Sequence, residues 1–201
     1  CYSIYCALII GESWDEEYNL IHGRATLNYL FSLGKINEDV YYGNYYSSSF
    51  WSLQYFLKQI FPQKYQVEIV HLINLCFSFG VIFGIGNLCK ILFNKKVGKI
   101  VFLILIFYPI FFGHMSMNGK DIILAFCHVW IFYLILRYLK KQHITSKVNY
   151  YISLIAILAA IASGIQLVFL GSLLTIFLFV LVDVFLLKKF SSYNFDKKKF
   201  F

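Results

Sequence analysis

Charge is what this sequence has least of. Only 14% of its 201 residues are charged, against 60% hydrophobic and 20% aromatic. A soluble chain of this length has too little interior to hide that much apolar surface, so lipid must cover part of it. The charge that is present leans basic, with a net +8. No basic stripe with interleaved aromatics appears, which argues against nucleic acid as a partner. The lysines stand instead at the ends of apolar runs, where membrane topology needs them. CxxC pairs are missing as well. Cys1, Cys6, Cys76, Cys89 and Cys127 lie mostly inside apolar runs, which favours buried thiols over a disulfide framework or a zinc site.

Polar groups in the middle of the apolar runs are scarce. Asn74, Asn87, His128 and Gln166 are the few, and no repeat relates the two halves. A secondary transporter needs polar groups at its midplane, often at broken helices, so that reading is the weaker one. His71 and His128 read as packed, hydrogen-bonded side chains.

Crossing a hydrocarbon layer of ~30 Å takes about twenty apolar residues. The spacing predicts an all-α polytopic transmembrane bundle of about six spans. They fall at about 1–13, 66–93, 100–117, 122–139, 148–163 and 166–187, with an outer loop over 14–65. The first is too short and reads as a truncated helix. Pro109 sits near the far end of the third. The apolar stretch 148–187 is too long for one span and must fold back, with Ser163-Gly164-Ile165-Gln166 as the soft spot. The turn after the second span, the loop after the fourth and the tail hold thirteen of the basic residues, and the other side only Arg24, Lys35, Lys58, Lys64 and Lys120. The positive-inside bias puts the basic loops in the cytoplasm. Most acids fall on the outer face. In the outer loop, Phe50, Leu53, Leu57 and Ile60 recur at helical spacing opposite Lys58 and Gln59, the pattern of an interfacial helix. Leu20, Leu27, Leu30 and Phe31 suggest a second. The tyrosines of 41–46 suit a headgroup belt or the stacking of sugar rings.

Two polar features share the expected outer face. Trp14-Asp15-Glu16-Glu17-Tyr18 crowds three acids, and crowding raises a carboxyl's pKa towards that of a useful base. Its plain reading is a solvated anionic helix cap. His114-Met115-Ser116-Met117-Asn118-Gly119-Lys120-Asp121 joins spans three and four by a short link. A lysine and a carboxylate pinned there could hold an anionic headgroup and a metal or hydroxyl. Its plain reading is a turn whose Asp121 favours a helix start.

Together these features resemble the GT-C membrane glycosyltransferases, which include the protein O-mannosyltransferases and the bacterial aminoarabinose and lipid A sugar transferases. A first span, an Asp-Glu pair and a long outer loop with interfacial helices make up the pattern. Phe111-Phe112-Gly113-His114 followed by Asn118-Gly119-Lys120-Asp121 is similar to a His-Ser-x-x-Asn-Pro-Lys-Asp segment of bacterial members, with Gly119 where proline is common. The stretch Ala159–Leu170 is also similar, with Gln166 in place of the usual arginine. The resemblance implies the N-terminal part of an inverting transferase. It would move a sugar from a polyprenyl-phosphate donor to an acceptor hydroxyl on a glycan, lipid or protein, at the extracytoplasmic face of the plasma membrane. Asp15 would be the base and Glu16 its support. Lys120, His114, Arg24 and Asn118 would bind substrate and its phosphate. Asp121, with Asp15 or Glu16, would hold a divalent metal (Mg or Mn) in the branches that use one. A transporter and a non-catalytic scaffold remain the alternatives.

Overall fold

The computed structural model describes residues 2–38, 48–141, 145–188 and 190, with the backbone alone for Trp14, Asp15 and residues 145–148. The tyrosine cluster of 41–46 and the tail lysines beyond Lys188 lie outside the described residues. All regular structure among the described residues is helical: α1 (Tyr2–Ile9), α2 (Trp14–Phe31), α3 (Ser49–Gln59), α4 (Gln66–Leu92), α5 (Lys95–Phe107), α6 (Pro109–His114), α7 (Gly119–Lys141), α8 (Thr145–Ile165) and α9 (Phe169–Val182).

Three helical stretches are long and apolar enough to cross a membrane, namely Gln63–Leu92, Gly119–Lys141 and Phe169–Leu187. They mark a membrane protein. The other expected spans are shorter. α1 has 8 residues and α5 has 13, and the apolar part of α8 is Asn149–Ile165. The expected third span breaks for a local reason. Tyr108, at φ −72° and ψ 112°, is extended, because the ring of a following proline crowds the helical conformation of the residue before it. Pro109 then opens α6, where its missing N–H costs nothing. α8 ends at Ile165, and α9 begins after the short link 166–168.

The long helices run alternately between two ends of the molecule. At one end lie the start of α4, the starts of α2 and α7, and the α3–α8 contact in which Ser49 Oγ donates to Gly164 O at 2.7 Å. At the other lie the end of α4 and the start of α5, and Leu88, Leu136, Leu139 and Phe190 pack together there. Inside lipid, apolar side chains gain little by leaving hydrocarbon for protein, so close packing and interhelical hydrogen bonds decide which helices meet. α4 and α7 show both. Gly80 and Gly84 lie one turn apart against Phe126, Val129 and Trp130, and Trp130 Nε1 donates to Gly80 O at 3.1 Å. α9 has few neighbours. Its mean hydropathy is 2.6 and only 11% of that stretch is buried, so most of its surface is left for lipid.

α3 lies against α2 and α4. Its inner face is Phe50, Trp51, Ser52 and Gln54, while Leu53, Phe56 and Ile60 remain exposed. The expected stripe of Phe50, Leu53, Leu57 and Ile60 is therefore divided between the two faces. In α2, Leu20 is buried whereas Leu30 and Phe31 point outward. The α2–α3 crossing is tight at Gly23, where a Cβ would overlap the backbone carbonyl of Trp51. A Cβ at Gly113 would meet nothing within 4 Å. Gly23→Ala should therefore destabilise the protein by about 1–3 kcal/mol, the usual cost of overpacking. Gly113→Ala should leave the thermal midpoint in detergent nearly unchanged, and equal midpoints for the two variants would contradict the crossing.

Candidate functional site

The site begins with a stripe on α4. His71, Asn74 and Ser78, at spacings of three and four, occupy one face of the helix and are fully or nearly fully buried. Together they tie four other segments to α4. His71 Nδ1 lies 3.0 Å from the Ala7 carbonyl at the end of α1. Its Nε2 lies 2.8 Å from Glu16 Oε1 and 3.1 Å from Oε2. A carbonyl only accepts, so Nδ1 carries a proton. Nε2 faces a carboxylate, so a second proton must be held between ring and acid. Glu16 also accepts the Ser13 N–H at 2.7 Å, closing the capping box that starts α2. Asn74 accepts from Gln54 Nε2 of α3 at 2.7 Å and donates to the Ser116 carbonyl at 2.9 Å. Ser78 Oγ donates to the Met115 carbonyl at 2.7 Å. Gly119 fits the same junction by smallness, since a Cβ there would sit 2.7 Å from Asn74 Oδ1.

These bonds bring the first turns of α2 and the 114–121 segment to opposite walls of one cleft of about 760 Å³. Ser13, Tyr18, Asn19 and Trp51 stand on one side, and His114, Asn118, Lys120 and Asp121 on the other, with Pro109 and Ile110 as apolar lining. Asp15 lies in the α2 turn between Ser13 and Tyr18, and its side chain is outside the described residues. Asn118 caps α7: its Oδ1 accepts the Asp121 N–H at 3.3 Å and its Nδ2 donates to Asp121 Oδ2 at 2.9 Å. Both plain readings are thus present. Glu16 belongs to a helix cap and Asp121 to a helix start, yet Asp121 also faces the cleft.

Comparison with protein-family models, with curated proteins and with solved structures gives no match to this chain.

Among the expected site residues, His114, Asn118, Lys120 and Asp121 line the cleft. Glu16 does not. It is 5% exposed and directed at the fully enclosed His71. Arg24 lies further along α2, ion-paired with Glu38 at 3.3 Å on the surface. Among the described residues no three His, Cys, Asp or Glu side chains gather as metal ligands. Gln166 shares a separate cleft of about 290 Å³ with His128 and Ser172. Asn19 and Trp51 went unnoticed in the sequence. So did the role of the α4 stripe, although a polar residue every third or fourth position within an apolar span is a readable sign of a polar contact.

His22, on α2, is buried between Tyr18, at 4.3 Å between ring centroids, and Trp51 at 6.0 Å. Its Nε2 has no hydrogen-bond partner among the described residues. Burial holds its pKa below the ordinary value, so the folded state prefers the neutral ring. That contribution to stability is complete above the ordinary histidine pKa of about 6.5 and is lost as the pH falls below it. His22→Phe should flatten the fall in melting temperature between about pH 7 and pH 5 that this group causes; an unaltered profile would argue against its burial. His71→Leu leaves the Glu16 charge enclosed without its partner and should cost about 3–5 kcal/mol. The double change with Glu16→Leu should restore much of that loss in a double-mutant cycle, and additive costs would show that the two groups do not interact.

Proposed function

We propose that the chain is the N-terminal part of a multi-pass GT-C-type glycosyltransferase of the plasma membrane. It would transfer a sugar from a polyprenyl phosphate to an acceptor hydroxyl at the extracytoplasmic face. The observation that carries this reading is the cleft between the first turns of α2 and the 114–121 segment. Ser13, Tyr18 and Asn19 at the start of α2 and the 114–121 segment, far apart in the chain, line one space of about 760 Å³, a size suited to a small organic ligand or headgroup. His114, Asn118, Lys120 and Asp121 give it polar lining, and Pro109 and Ile110 give it apolar lining. A lipid-linked sugar phosphate has the same division between polar head and apolar stem.

In this proposal Asp15 takes the proton from the acceptor hydroxyl as the oxygen attacks the anomeric carbon. The bond from that carbon to the phosphate oxygen breaks, and the configuration inverts. Lys120 and His114 offer donors to the departing phosphate, whose growing charge needs them. Arg24 is engaged with Glu38, which leaves the phosphate to those two. Glu16, bonded to His71 and to the Ser13 N–H, supports Asp15 by fixing the turn that carries it. In this proposal the shorter helices α1, α5 with α6, and α8 make up the other three of the six expected spans.

The test is transfer of sugar from polyprenyl-phosphate donors in membranes expressing the complete reading frame. Asp15→Asn should lower transfer by about 10²–10⁴-fold, the contribution of a positioned base, while insertion and expression stay as in the parent. Undiminished transfer by the variant removes the mechanism.

A further inference from the structure

At the opposite end of α4 from the cleft, α4 and α5 form a groove of about 390 Å³ that the transfer reading does not use. Asn94 starts α5 there, its side chain accepting the Val97 N–H at 3.0 Å. The helices meet closely at Gly98, where a Cβ would lie 2.7 Å from the Gly86 carbonyl and 3.2 Å from the Lys90 Cβ. Beside that contact the two helices diverge around an open trough.

The side chains along the trough are ordered by depth. On α4, Phe83, Asn87 and Lys90 follow one another towards the helix end, and on α5 Lys95 and Lys99 precede Phe102 and Leu103. At 1.5 Å per residue, Lys90 and Lys95 stand about 10 Å above Phe83 and Phe102, and Lys99, one turn below Lys95, stands about 5 Å above Phe102. Phe83 and Phe102 close the floor with their ring centroids 5.3 Å apart. Among the described residues no carboxylate lines the groove and none of the three lysines is ion-paired. Three cations at one end of the groove, with aromatic rings about 5–10 Å below them, complement an anion joined to a hydrocarbon chain.

We propose that this groove binds one anionic phospholipid of the bilayer, its phosphate held by Lys90, Lys95 and Lys99 and an acyl chain lying over Phe83, Phe102 and Leu103. Basic pockets between membrane helices at the headgroup level favour such lipids, each lysine contributing about a fivefold gain in affinity. The site rests on the membrane setting of α4 and is independent of any sugar transfer.

The test is native mass spectrometry of the detergent-purified chain titrated with dioleoyl phosphatidylglycerol or dioleoyl phosphatidylcholine. The phosphatidylglycerol adduct should be clearly the tighter. K90Q/K95Q/K99Q should weaken it by on the order of a hundredfold, to the phosphatidylcholine level. K140Q/K141Q, which removes two lysines of α7 outside the groove, should leave it unchanged. Gly86→Leu keeps every lysine and fills the trough, since a Cβ there meets its neighbours only at ordinary contact, 3.5 Å or more; it too should lose the adduct. Glycerol phosphate at millimolar concentration should fail to displace the lipid. Unaltered binding by the triple variant, an equal loss in K140Q/K141Q, retention by Gly86→Leu, or displacement by glycerol phosphate would each overturn the proposal. Melting curves of the triple variant, whose changes are all on exposed side chains, keep the lysine result separate from any misfolding of Gly86→Leu.

Discussion

The polar face of α4 is the constraint from which the rest of the architecture follows. In hydrocarbon a helix cannot choose its neighbours by hydrophobicity, so buried polar groups must supply the choice. His71, Asn74 and Ser78 between them satisfy groups on four segments: the end of α1, the start of α2, α3, and the turn between α6 and α7. None of those segments is a long apolar helix, and each would otherwise have little to fix it. An interhelical hydrogen bond in a membrane contributes about 0.6–2 kcal/mol, which is modest singly. The Glu16–His71 pair is different in kind, because separating it strands a charge in the interior. The geometry of the cleft is inherited from these bonds rather than made by the residues that line it.

The chain also divides its chemistry by depth. Acids, hydroxyls and amides collect where α2, α4 and α7 begin, while lysines collect where α4 ends and α5 begins. Both clusters share their clefts with apolar side chains, Pro109 and Ile110 in one case, Phe83 and Phe102 in the other. The glycines take part in this division. Gly80 and Gly84 let α7 approach the middle of α4, and Gly98 lets α5 approach its end, while Gly119 gives Asn74 room to reach the loop.

Much of this was legible along the chain because apolar runs and their breaks are local signals. The lysine turn after α4 and the short polar start of α7 both stand out in one dimension. A run of apolar residues does not, however, say whether its helix is continuous, and the third expected span divides because one proline sits inside it. α3 was legible as a helix from the recurrence of Phe50, Leu57 and Ile60. Which of its faces turns inward was not, because Gln54 goes to Asn74, which lies twenty residues away. The partner of Glu16 was further out of reach. His71 is separated from it by 55 residues, and no periodicity joins the two. Proximity of the α2 turn to the 114–121 segment could be guessed from topology, but the division of labour between a lining Asp121 and an enclosed Glu16 required the fold.

The break at Tyr108 has a consequence for the bilayer itself. Thirteen residues of α5 cover about 20 Å, some 10 Å less than a typical hydrocarbon thickness. In the proposed six-span arrangement the missing third falls to Tyr108–His114, whose ladder of amide bonds is interrupted and whose Pro109 has no N–H to give. Backbone dipoles are thus presented to whatever occupies that depth, inside a layer that elsewhere offers only methylene groups. A molecule sliding in sideways from the lipid would meet polarity below the headgroups, along a notch in the wall rather than over its rim.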